Sequence, residues 1–188
     1  MSVVYLLLGA QGSGKSTWAN ANAGRLGAAL LASDDVRNEL ESSRAGDPND
    51  GDRVFQVVEA QLEWLLSQNR TVIVDATHAR KTWRRNEIAI ARQHGARVVG
   101  VWFDLPLEIC LARNAAKPGL TWGDRVVPED LLRWVWRGFE QPEADEFDEV
   151  WRVTADGGRP IADGGWRMAE GRSPLRRAAS SKGPRVDT

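Results

Sequence analysis

The stretch "VVYLLLGAQGSGKSTW", residues 3–18, constrains this chain more than any other. Val3–Leu8 is a short, mostly apolar run bounded by glycine, which reads as a buried strand. Gly9-Ala10-Gln11-Gly12-Ser13-Gly14-Lys15-Ser16 then fits G-x-x-x-x-G-K-[ST], and a helix is expected from Lys15 to about Arg25. Glycines let backbone N–H groups wrap a phosphate with no Cβ in the way. The helix N-terminus adds the positive end of its dipole. The stretch is read as a nucleotide-binding P-loop. Gly9, Gly12, Ser13, Gly14 and Thr17 belong to the cradle, Lys15 reaches the β- and γ-phosphates of ATP, and the Ser16 hydroxyl takes a place on Mg²⁺.

The rest of the chain repeats the same alternation. Short strands are expected at 28–32, 71–76, 97–103 and 148–153, five with the first. Helices are expected near 34–43 (capped by Ser33), 53–69, 81–94, 106–113 and from Pro128 onward. Alternating strands and helices imply an α/β fold with a parallel sheet covered on both faces. After Thr154 the texture becomes rich in Gly, Ala, Ser, Pro and Arg without periodicity, so 155–188 reads as a disordered tail.

A P-loop alone admits motors, GTPases, sulfotransferases and small kinases. No Asn-Lys-x-Asp follows a strand, as a GTPase requires; the fourth strand ends "VWFDLP". That favours a kinase. Asp75 ends the β-branched strand "TVIVD" and suits an acid that holds Mg²⁺ through water. The alternative is an Asp that caps the next loop. "SDDVR" puts Asp34 and Arg37 three residues apart on one helix face. Phosphoryl transfer to an alcohol needs a base for the hydroxyl proton. Asp34 is placed to be that base, and Arg37 to bind an acceptor anion. A plain helix-stabilising ion pair reads equally well from spacing alone.

"CLARNAAKPGLTWGDR" carries Arg113, Lys117 and Arg125 in or beside a loop-like segment between two late helices. In small P-loop kinases a lid closes there, and its cations neutralise charge on the transferred phosphoryl; the alternative is a solvated surface loop. In "ARKTWRRNE", residues 79–87, four basic residues surround Trp83. The favoured reading is a basic helix face with Trp83 packed inward; contact with a nucleic-acid strand is the other. Most of the nine tryptophans are expected in core or lid packing.

Composition excludes little else. No apolar run reaches the roughly 18 residues of a membrane span, so a cytoplasmic protein without membrane contact is expected. The single cysteine, Cys110, forbids an intramolecular disulfide and reads as a buried structural thiol. Net charge is −1, with +3 in residues 155–188 and therefore −4 before them, so there is no global basic field.

Together these residues resemble the 5′-OH polynucleotide kinase family of the bacteriophage and bacterial RNA-repair type, and the wider group of small bacterial AAA-like P-loop kinases. The resemblance rests on "GAQGSGKSTWA", "SDDVR", "VIVDATH", "FDLPLEICLARN", "VVP" and "FEQPEADEFDEVWRV", in that order. It covers Met1 to about Val153. It implies a P-loop kinase fold over 1–154 with a small lid at about 113–127. It implies an ATP- and Mg²⁺-dependent kinase of nucleic-acid repair, acting on a polynucleotide 5′-OH end. Lys15 and Ser16 would bind ATP and Mg²⁺, and Asp75 would be the second acid of the metal site. Asp34 would take the proton from the 5′-OH, and Arg37 would hold the phosphate 3′ of the acceptor nucleoside. Arg113 matches the first lid cation. The family's second lid Arg is Lys117 here, which keeps the charge but loses the guanidinium fork. Either Lys117 suffices or Arg125 replaces it. A separate phosphatase or ligase partner would suit such an enzyme. Two other readings share the P-loop: a kinase of a nucleoside, sugar or antibiotic hydroxyl, and an ATP-hydrolysing switch with no dedicated acceptor.

Overall fold

The computed structural model describes residues 1–155 apart from 44, 45 and 48. In chain order its elements are β1 (Val3–Leu8), α1 (Lys15–Leu26), β2 (Ala28–Ala32), α2 (Ser33–Ser43), α3 (Gly51–Ser67), β3 (Thr71–Asp75), α4 (Lys81–Gln93), β4 (Arg97–Phe103), α5 (Leu107–Ala115), α6 (Glu129–Arg137) and β5 (Glu149–Val153). The tail read from the sequence lies, beyond Ala155, outside the described residues.

Period-two alternation along β1 builds the two faces of the molecule. Val4, Leu6 and Leu8 join one buried cluster with Val36, Val58, Leu62 and Ile88, so α2, α3 and α4 cover that face. Tyr5 and Leu7 join another with Ala19, Leu107, Cys110 and Leu132, so α1, α5 and α6 cover the opposite one. The sheet order is β2-β3-β1-β4-β5 and every pair is parallel. The chain is therefore the α/β protein expected, with five parallel strands and helices on both faces. Strand order reverses at β1, and in such sheets ligands bind beyond the carboxyl ends of strands at that point.

Local chemistry sets the element ends. The left-handed Gly27, at φ 60°, closes α1 with its N–H on Ala23 and Gly24. The Asp50 side chain accepts from the Arg53 N–H, so α3 starts two residues before Arg53. Pro106 and Pro128 stand just outside α5 and α6. Ser33 is the first residue of α2, because β2 runs into that helix without a connecting residue.

Arg84 is the largest fully buried side chain. This corrects the reading of residues 79–87, where Trp83 was expected inside and the basic residues outside. The arginine goes in, and Trp83 stays 37% exposed. Arg84 Nε and Nη2 donate to the two carboxylate oxygens of Glu146 at 2.8 and 2.6 Å. Nη1 donates to the carbonyls of His78 and Glu140, and Nη2 also to that of Gln141. All five guanidinium N–H groups are thus engaged, and they lash α4 to the segment between α6 and β5.

Burial works to raise the Glu146 pKa, but the Arg84 hydrogen bond and the Glu143 N–H outweigh it and hold the carboxyl below its ordinary 4.5. A depressed carboxyl stabilises the fold above its ordinary range and loses that effect as pH falls through the folded value. The stability gap between wild type and Glu146→Gln, read from urea midpoints, should be full near neutrality and shrink as pH drops below 4.5. A gap constant down to pH ~3 would contradict this assignment.

Among the described residues no helix is long and apolar enough to cross a membrane.

Candidate active site

The carboxyl ends of β1, β2 and β3 open onto a cleft of about 1600 Å³. Its wall brings together Gly12, Ser13, Gly14, Lys15, Ser16, Thr17, Asp34, Arg37, Asp75, Arg113, Lys117 and Arg125. Of the residues the sequence assigned to the nucleotide, the metal or the transfer, only Gly9 is not on that wall. It lies beneath the loop, where its carbonyl accepts from Lys15 Nζ at 2.8 Å.

The loop from Gly9 to Gly14 is a tight cradle. Its first amide is tied to the chain after β3 by Gly9 N–H on the Thr77 carbonyl, 3.1 Å. Gly12 has φ +78°, and a Cβ there would sit 2.3 Å from the Cys110 carbonyl oxygen on α5. Both the left-handed backbone and the close approach of α5 demand glycine. Gly12→Ala should cost about 2–4 kcal/mol and loosen the cradle together. Chemical denaturation alongside ATP-dependent thermal protection checks this; a stable variant with normal protection would contradict the packing. Cys110 itself is buried, and burial pushes its thiol pKa up, as a structural thiol requires.

Lys15 begins α1 and is nearly buried, at 8% exposure. Burial pushes its pKa down, while Asp75 and Asp34 pull it back part of the way. Nζ also donates to the Ala10 carbonyl at 2.9 Å. Asp75 ends β3 beside it, buried. Burial raises its pKa, against the charge of Lys15 and a hydrogen bond with the Ser16 side chain. Two buried, opposite charges that both lean toward neutrality suit a site completed by further charged groups.

The residues fit a metal-bound nucleoside triphosphate. The Ser16 hydroxyl and Asp75 carboxylate are adjacent hard oxygen donors, the type Mg²⁺ takes. The Ser13 hydroxyl is buried without a hydrogen-bond partner among the described residues, inside a glycine cradle at a helix N-terminus. Among the described residues no cluster of three or more His, Cys, Asp or Glu could hold a metal unaided. Mg²⁺ characteristically uses one or two carboxylates and completes its shell with phosphates and water.

Asp34 and Arg37 lie on the first turns of α2. Arg37 Nη1 donates to Asp34 Oδ1 at 3.1 Å. Among the described residues Asp34 Oδ2 makes no hydrogen bond, so one carboxylate oxygen is held and the other is unengaged in a residue that lines the cleft.

The loop between α5 and α6 is better built than its composition suggests. Asn114 is buried and bridges the loop's two ends, with its side chain on both the N–H and the carbonyl of Val127. Arg113 Nη1 reaches back to the Ser13 carbonyl at 3.4 Å, beside Gly14. Lys117 Nζ donates to the Gly123 carbonyl within the loop, 2.9 Å. Arg125 lies 3.9 Å above the Trp122 ring. Trp122 docks on α2, where its N–H donates to Asn38 and its Nε1 to Glu41. The three cations thus hold different posts: Arg113 touches the cradle, while Lys117 and Arg125 brace the loop.

A family model described as an AAA domain, AAA_33, matches residues 4–142. The chain belongs to this family. Solved structures carry the same fold. A nominal kinase from Chloroflexus aurantiacus superposes with a TM-score of 0.68 at 12% identity, over 81% of this chain and 88% of that one. A chain of the Pnkp1/Rnl/Hen1 RNA repair complex gives 0.61 at 26% identity, over 73% of this chain and 43% of that one. The Mycobacterium tuberculosis APS kinase CysC, in complex with AMPPNP and APS, gives 0.59 at 20% identity, over 82% and 89%. No curated protein matches the chain in sequence. This AAA-domain protein therefore has the fold of P-loop kinases, enzymes that bind ATP, generally with Mg²⁺.

Sequence reading missed two parts of the site. One is the docking of Trp122 on α2, although a tryptophan in a Gly-rich loop must find cover somewhere. The other is the far wall of the cleft, where α3 contributes Asp52, Phe55, Gln56 and Glu59. These residues carry no motif.

Proposed function

We propose that this protein is an ATP-dependent kinase that phosphorylates the 5′-hydroxyl end of a polynucleotide. The observation that carries this reading is the Asp34–Arg37 pair, set in one cleft with Lys15, Asp75 and Arg113. The likeness at 26% identity to a chain of an RNA repair complex supports it.

The chain's residues divide the work of in-line transfer. The P-loop amides and Lys15 hold the β- and γ-phosphates. Ser16 and Asp75 would hold Mg²⁺, which when bound offsets charge on the phosphate oxygens. Asp34 Oδ2 accepts the hydroxyl proton as the acceptor oxygen attacks the γ-phosphorus. The bond from that phosphorus to the β-phosphate oxygen breaks, and ADP leaves with the electron pair. Arg37 orients Asp34 through Oδ1 and offers its remaining donors to the acceptor's 3′ phosphate. Arg113, against the cradle, balances charge on the moving phosphoryl group. The lid cations Lys117 and Arg125 keep the loop over α2.

A second reading has its own observation. Asp52, Gln56 and Glu59 make the α3 wall polar and partly acidic. That suits a neutral polyhydroxyl acceptor, as in a small-molecule kinase. One experiment separates the two. The protein is incubated with γ-labelled ATP, Mg²⁺ and 5′-OH RNA and DNA oligonucleotides, beside nucleosides and sugars. Label on oligonucleotide 5′ ends is expected. Label confined to a small alcohol would overturn the first reading.

A further inference from the structure

The four basic residues around Trp83 have separate fates. Arg84 is buried, and the Lys81 ammonium pairs with Glu143 at 2.5 Å. Arg80 is different. Among the described residues its guanidinium makes no hydrogen bond or ion pair. Its Cζ lies 4.6 Å from the ring centroid of Trp134 on α6 and 5.5 Å from that of Trp83 on α4. The two indoles are 6.1 Å apart at 41°. Both are exposed, Trp134 by 50%, and neither indole N–H has a partner among the described residues.

This patch is continuous with the cleft. Thr82, Trp83 and Asn86 from α4 and Leu131 from α6 line the same cleft as Asp34 and Arg37. The chemistry is that of a single-strand binder: a cation with open donors for phosphate, and aromatic faces on which a base of any identity can stack. A guanidinium already laid on an indole loses little freedom on meeting a phosphate.

We propose that Arg80, Trp83 and Trp134 form a stacking platform for a single-stranded polynucleotide acceptor, holding nucleotides 3′ of its reacting end. The proposal rests on the polynucleotide reading above and adds where the strand leaves the cleft. The reacting nucleotide meets the Asp34–Arg37 pair, and its neighbours cross the cleft mouth to the two indoles.

The test is acceptor KM against strand length, from a 3′-phosphorylated mononucleotide to a single-stranded octamer. In wild type, KM should fall with length. In Trp83→Ala/Trp134→Ala that fall should flatten, leaving the octamer KM about 10- to 100-fold higher than wild type with KM for ATP unchanged. Trp83→Tyr should restore most of the length dependence, which a merely structural role would not predict. Anisotropy with a 5′-phosphorylated octamer, which cannot react, gives binding directly should the double variant fold poorly, with Arg80→Ala expected to weaken it. If oligonucleotides are phosphorylated but KM ignores length, or the variants match wild type at every length, the platform is wrong and the kinase reading stands. If no oligonucleotide is phosphorylated while a nucleoside or sugar is, the polynucleotide reading itself fails.

Discussion

Replacing Arg84 by Met should lower the free energy of unfolding by about 3–5 kcal/mol, the range for removing one member of a buried ion pair. Methionine fills much of the same volume, so the loss isolates polar contacts from packing. It leaves the Glu146 carboxylate without its bidentate partner and takes a donor from the His78, Glu140 and Gln141 carbonyls. Each polar group stranded in a buried site costs about 1–3 kcal/mol, and water reaching Glu146 recovers part of that. Urea unfolding at pH 7 measures the change. A loss under ~1 kcal/mol would mean the 140–146 segment finds other partners and Arg84 is not what lashes it down.

Asp34→Asn should lower kcat about 10²–10⁴-fold, the range for a lost general base. Asparagine keeps the shape and can still accept from Arg37, but it cannot take a proton. KM for ATP should hold, because the proposed role of Asp34 is toward the acceptor and not the cradle. Arg37→Ala should act differently and raise acceptor KM, since it removes an anion contact present in the ground state. Steady-state kinetics with both substrates varied separates the two. An Asp34→Asn enzyme within threefold of wild type would remove Asp34 from the chemistry.

How much of this could be read from the residues depended on the range of the forces involved. The P-loop was legible because the requirements that form its motif are local. Gly12 and Gly14 need positive φ, and Lys15 must follow at the helix start. The three central strands were legible because β1, β3 and β4 are largely buried and so are mostly apolar. Asp34 and Arg37 were legible as a pair, since i and i+3 meet on any helix. Arg84 was not. A basic run on a helix ordinarily lies in water, and nothing near position 84 shows that Glu146, 62 residues on, will meet it inside. The Trp83–Arg80–Trp134 cluster was hidden for the same reason: its members come from two helices joined only by the fold. The α3 wall has no motif, because lining a cleft asks only that a side chain be near.

Cys110 has a practical consequence. It is the chain's one thiol, it is buried, and its raised pKa keeps it a poor nucleophile. The wild-type protein is therefore already a silent background for maleimide chemistry. Leu120, at the tip of the lid loop and 83% exposed, can be changed to cysteine with no second substitution. A single fluorophore or spin label at that tip would report how the loop's mobility and surroundings change as nucleotide and acceptor arrive, in an otherwise unaltered protein.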